Sequence, residues 1–75
     1  MLDAIAVGTV IQREREKRRM SQELASGLAG IGRTHWSAIE RGERKPTLET
    51  FFRISEALQM RPSVLLALIE EENEK

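Results

Sequence analysis

The segment SQELASGLAGIGRTHWSAIERG, Ser21–Gly42, contains two runs of helical spacing separated by a turn between two glycines. Ser21 is suited to accept the first free N–H groups of one helix, and Gly30 to end it in a left-handed conformation. Ile31 and Gly32 form the turn into a second helix, RTHWSAIER, which stops at Gly42. Leu24/Leu28 and Trp36/Ile39 recur at i,i+4 and i,i+3, which predicts a core shared across the turn. On the opposite face of the second helix lie Arg33, Thr34, Ser37, Ala38 and Arg41, open to solvent or a ligand.

The flanks extend this pattern to five short helices. Asp3 can cap a first helix running to about Arg18, with Val7, Val10, Ile11 and the stem of Arg15 on one face. Gly8 lowers helix propensity there, which makes a start just after it the alternative. GERKP is a break, after which Thr47 can cap LETFFRISEALQM, where Leu48, Phe51, Ile54, Ala57 and Leu58 repeat at helical spacing. Pro62 suits the first turn of a last helix through SVLLALIEEE. The expected fold is all-α, a compact five-helix bundle forming one domain over residues 1–75.

Composition narrows the functional classes. There is no cysteine, so neither a disulfide nor a thiolate metal ligand can supplement the core. The longest apolar tract, VLLALI at Val64–Ile69, is too short to span a bilayer, and MLDAIAVG lacks the cationic start of a secretory signal. A cytoplasmic protein is expected. Net charge is zero, but residues 1–47 carry nine Lys/Arg against six Asp/Glu, and residues 48–75 carry three against six. A polyanion would meet the first half, while the tail EEENEK should point elsewhere or be partly disordered. Four cations, Arg33, Arg41, Arg44 and Lys45, cluster within Gly30–Pro46. A short helix projecting from a small bundle, with arginine near its start, fits the width of the B-DNA major groove.

The run Ser21–Gly42 resembles the helix-turn-helix of the phage repressor and Cro family, often called the Xre family. The shared elements appear here as SQE, LA, GI, RTHWS and IERG, with KPTLETFFRISEAL similar to the family's fourth helix. The resemblance extends from about Gly8 to Leu66. It implies that Arg33 and Thr34 face base edges, with Ser37 and Ala38 at the next groove-facing positions. Gln22 falls where the family approaches a phosphate and supports the recognition helix. Arg41, Arg44 and Lys45 fall where the chain follows the DNA backbone, and Arg15 and Glu40 match a semi-buried ion pair. The departures are Leu24 where the family closes a capping box with Glu, a Leu-Ala pair one place early, Gly32 at a usual Ser/Thr cap, and Trp36 in place of an aliphatic residue.

The side-chain chemistry agrees with these roles. Arg33 can donate two hydrogen bonds to guanine O6 and N7 or clamp a phosphate. Thr34 and Ser37 offer hydroxyls, and Thr34 and Ala38 offer methyls to thymine. His35, the only histidine, has no local partners for a metal or catalytic site. The spacing of Trp36 with Ile39 favours burial over base stacking. Phe51 and Leu58 close the core, while Phe52, Leu68 or Ile69 are left for a two-fold partner, within a dimerisation region at 48–70. These readings predict a sequence-specific, double-stranded DNA-binding transcriptional regulator acting as a homodimer on a palindromic operator. A phage-type repressor, a restriction-modification controller, a similar autoregulator and a toxin-antitoxin operator binder are all proteins of this kind. The competing class is a protein-interaction module on the same bundle. No residue set points to an enzyme, cofactor or metal, and none identifies a small-molecule effector.

Overall fold

A computed structural model describes all 75 residues as five α-helices joined by short turns. The helices are α1 (Ala4–Lys17), α2 (Gln22–Ala29), α3 (Arg33–Glu40), α4 (Leu48–Ala57) and α5 (Pro62–Asn73). Their boundaries follow local chemistry. Asp3 Oδ1 accepts from the Ile5 N–H at 2.9 Å, Ser21 Oγ from Leu24 N–H at 3.0 Å, and Thr47 Oγ1 from Thr50 N–H at 3.1 Å. Pro62 occupies the first turn of α5, where its missing N–H costs nothing. No helix is long and apolar enough to cross a membrane.

One buried cluster draws on every helix: Val7, Val10 and Ile11 from α1, Ala25 and Ala29 from α2, and Trp36 and Ile39 from α3. Phe51, Ile54 and Ala57 of α4, the adjoining Leu58, and Leu65 and Ile69 of α5 complete it. Helix α1 packs on α3 and α5, while α2 packs on α3 and α4. The recognition-type corner α2–α3 is thereby held from both sides.

Two expectations are corrected here, and the alternatives for the acidic tail are narrowed to one. Leu24 and Leu28 do not join the core; they are 51% and 58% exposed, and Ala25 and Ala29 face inward instead. Ala25 and Ala29 share the buried cluster with the fully buried Trp36, and side chains that small let α2 approach its neighbours closely. Ile69 is buried in the monomer and Leu68 packs partly against the core, which leaves Phe52 as the exposed member of that trio. The acidic tail does not hang free. Asn73 accepts from the Asp3 N–H at 2.7 Å and donates to the Met1 carbonyl at 3.1 Å, and Glu72 pairs with Arg13 at 3.1 Å.

Gly8 does not delay α1 but lies inside it. A Cβ there would sit 2.7 Å from the Glu40 carbonyl carbon and closer still to the carbonyl oxygens of Ile39 and Glu40. The missing side chain is what allows α1 to cross directly against the C-terminal end of α3.

Candidate nucleic-acid interface

Helix α3 has two chemically distinct sides. Trp36 and Ile39 turn into the core, and Glu40 is buried beneath them. Glu40 accepts hydrogen bonds from Arg15 Nε at 2.7 Å and Nη2 at 3.1 Å, from Gln22 Nε2 at 2.8 Å, and from Trp36 Nε1 at 2.6 Å. The third guanidinium nitrogen of Arg15 donates to the Met20 carbonyl at 2.7 Å. Burial pushes the Glu40 carboxyl up, but the bonds from Arg15, Gln22 and Trp36 outweigh that and hold it below the ordinary carboxylate range. The bond to Glu40 likewise raises Arg15, against the cost of its burial. One carboxylate thus locks α1, α2 and α3 together behind the exposed surface.

On the other side, Gln22, Arg33, Thr34, Ser37 and Arg41 line a shallow depression of about 200 Å³ with no apolar residue in its wall. Arg33, Ser37 and Arg41 follow one another at intervals of four residues, so the helix places them in a row. Arg33 and Thr34 are exposed; Ser37 and Gln22 are half-buried. The N-cap Gly32 supplies no side-chain acceptor, so the first N–H groups of α3 have no side-chain partner. Arg44 and Lys45 are exposed on the following loop and, like Arg33, have no carboxylate within 4.0 Å.

One of the residues assigned to this surface sits differently from expectation. Ala38 is only 8% exposed, so its methyl is turned away from any groove; it lies five residues beyond Arg33, on the inward side of the row. Gln22 uses its amide to hold Glu40, so its bonding in this structure is to the helix behind the surface. Arg41 is also engaged: Nε and Nη2 donate to Glu43 at 2.8 and 3.1 Å, and Nη1 donates to Ser37 Oγ. The bond from Arg41 holds the Glu43 carboxyl below its ordinary range. Glu43 was not among the residues singled out from the sequence, although an Arg-Gly-Glu run at a helix end carries the signal for such a fold-back. His35 is half-buried, and no three His, Asp or Glu side chains are grouped to hold a metal ion.

Comparison with known proteins agrees with this geometry. The helix-turn-helix family pattern matches residues 11–65. The HTH-type transcriptional regulator y4dJ of Sinorhizobium fredii, itself uncharacterized, is 33% identical over 52 residues, which are 69% of this chain and 68% of that protein. The restriction-modification controller protein C.AhdI from Aeromonas hydrophila superposes with a TM-score of 0.82 at 28% identity, over 87% of this chain and 98% of its own. The controller C.Esp1396I, solved as a tetramer in complex with its natural 35 base-pair operator, superposes with a TM-score of 0.89 at 27% identity, over 100% of this chain and 99% of its own.

Proposed function

The chain belongs to the helix-turn-helix family of DNA-binding transcriptional regulators, and from that premise we propose that it reads a palindromic operator as a homodimer, in the cytoplasm, through α3. This family is not a class of enzymes. The proposed unit is residues 1–75, with the reading corner at 21–42 and the dimer contacts within 48–70. The observation that carries the reading is the polar row Arg33–Ser37–Arg41 beside Thr34 and Gln22, mounted on a helix whose back is fixed by Glu40.

In this reading Arg33 and Thr34 meet base edges, and Ser37 makes the next contact along the groove. Arg41, Arg44 and Lys45 meet phosphates, which fix register and supply salt-dependent affinity without specifying sequence. Gln22 orients α3 through Glu40 and presents its remaining amide hydrogen to the backbone. Two copies would place their recognition helices about 34 Å apart, one turn of the duplex. The structural relative C.Esp1396I was solved as a tetramer in complex with its natural 35 base-pair operator, which supports the binding of more than one copy to DNA. Within 48–70, Phe52 is exposed and rimmed by Glu49, Arg53, Glu56 and Arg61, with Met60 and Pro62 alongside. An apolar centre with both charge signs on its rim suits a patch that meets its own copy across a two-fold axis.

Selection of bound fragments from a random duplex library tests the proposal. A palindromic consensus bound with steep salt dependence is expected. Arg33→Ala should cost about 1–3 kcal/mol on the selected site and relax discrimination at one symmetric base pair. Arg44→Ala should weaken selected and shuffled duplexes alike. Failure to retain any duplex, beside a protein that is folded and captures a protein partner, would count for the interaction-module alternative.

A further inference from the structure

We propose that Glu43 is a built-in competitor for the phosphate that Arg41 would otherwise bind, so that it sets the backbone affinity of the α3 surface; this rests on the DNA-binding reading above. The Glu43 carboxylate takes the guanidinium of Arg41 edge-on through two parallel hydrogen bonds, at 2.8 and 3.1 Å. That is the fork geometry with which arginine also receives a phosphate. Carboxylate and phosphate therefore compete for the same edge of the same group.

The backbone fixes the competitor in place. Gly42 turns the chain at φ +77°, its N–H donates to the Ile39 carbonyl at 3.1 Å, and the Glu43 N–H returns to the Ala38 carbonyl at 2.9 Å. This closed helix end brings residue 43 back beneath residue 41, and Ser37 Oγ takes the remaining guanidinium edge. A carboxylate at a helix C-terminus faces the negative end of the helix dipole, so the Glu43 side chain benefits α3 only through Arg41. Arg33, Arg44 and Lys45, the other cations of the surface, have no such partner.

Both members of the pair are exposed, so the bond is weak enough to be exchanged for a phosphate when a duplex arrives. The exchange leaves an unpaired carboxylate beside the DNA backbone. Arg41 then adds less to affinity, and less to counterion release, than an unpartnered arginine in the same place.

The test is a two-residue cycle of wild type, Glu43→Gln, Arg41→Gln and the double variant. Each is titrated with a labelled duplex from the library selection and with a shuffled duplex, between about 50 and 200 mM salt. Glu43→Gln should tighten binding to both duplexes by about two- to fivefold, with a steeper salt dependence. In the Arg41→Gln background the same change should give no tightening. The Arg41 Nε–H resonance should also shift on Glu43→Gln in the free protein, reporting loss of the pair. Tightening of equal size in both backgrounds would make Glu43 a bare negative charge acting at a distance, and would overturn the proposal. So would unchanged binding by Glu43→Gln. A wild-type protein that binds no duplex would instead overturn the DNA-binding reading, and this inference with it.

Discussion

Glu40 accepts four hydrogen bonds from side chains of three helices, which saturates the lone pairs of a carboxylate. A buried ion pair of this kind adds little net stability, because each charge had to leave water, but removing one partner strands the other. Glu40→Ala should therefore destabilise the fold by about 3–5 kcal/mol, read as a lower urea midpoint by circular dichroism. Trp36→Phe, which keeps an aromatic ring but deletes the indole N–H bond to Glu40 and leaves a gap where the larger ring system was, should cost about 2–4 kcal/mol. The same network dictates the acid limb of stability. Glu40 is held below the ordinary carboxylate range in the folded state, so its contribution is fully present above the unfolded value of about 4.3 and is lost as pH falls through the depressed folded value. Burial raises Glu14, but the hydrogen bond from Arg18 and the ion pair with Lys17 outweigh it and bring the carboxyl down, so it loses its contribution in the same window. Urea midpoints measured from neutral pH to below 4 should fall steeply in the wild type and less steeply in Glu40→Gln, which has no proton to take up at that position. Identical acid limbs would show that the carboxylate is not what titrates. The Arg15–Glu40 pairing was legible through a family pattern, whereas its convergence with Gln22 and Trp36 was not, because no spacing along the chain reports bonds that join three helices at one atom pair.

At the scale of helices, the glycine with least room around it is Gly8, where α1 crosses over the end of α3. Gly8→Ala would improve helix propensity by up to about 1 kcal/mol if the site were open. Here the added methyl meets backbone carbonyls, which cannot rotate away, so α1 must shift and the variant should lose about 1–3 kcal/mol of stability. The shift also tilts α3, so duplex affinity should fall by more than in an exposed control such as Gly27→Ala, whose added methyl meets nothing within 4 Å. Equal stability of Gly8→Ala and wild type would mean that the crossing has room to spare. The five helices, their capping residues and the burial of Trp36 were readable from spacing and end chemistry, because those signals are local. The rotation of α2 was not. Leu24 and Leu28 are larger and more apolar than Ala25 and Ala29, and judged by transfer free energy alone they belong inside. The packing of α2 on α3 and α4 reverses that choice, with Ala25 and Ala29 in the buried cluster and both leucines left exposed. The row Arg33–Ser37–Arg41 was placed on the outer face, while Ala38 was misjudged by part of a turn.

For the molecule as a whole, zero net charge conceals a local field. Seven of the twelve Lys/Arg lie within 4.0 Å of a carboxylate, and three of the five that do not are Arg33, Arg44 and Lys45. Unneutralised positive charge is thus concentrated at the start of α3 and the loop after it, which is where a polyanion would be steered. The single α3 of one chain covers too few base pairs to hold an operator tightly, so affinity in the proposed function depends on coupling two copies through residues 48–70. Three of the four large exposed apolar side chains there, all but Val64, divide between two places. Leu48 and Leu66 border a depression shared with Leu2 and Pro46, and Phe52 stands within the mixed-charge rim described above. The aromatic ring at the centre of a self-complementary rim is the better anchor for a two-fold contact. Phe52→Asp should leave the helical spectrum and thermal midpoint of the monomer nearly unchanged, because the side chain is 58% exposed. Its dimer dissociation constant, measured by sedimentation equilibrium, should rise by about 30-fold or more, the effect of losing roughly 2 kcal/mol at an interface hot spot. Binding to a full palindrome should weaken by a comparable factor, while binding to an isolated half-site stays the same. Leu66→Asp, also exposed but outside that rim, should leave both quantities unaltered. If Leu66→Asp dissociates the dimer and Phe52→Asp does not, the two-fold axis passes instead beside the depression that Leu66 shares with Leu2 and Leu48.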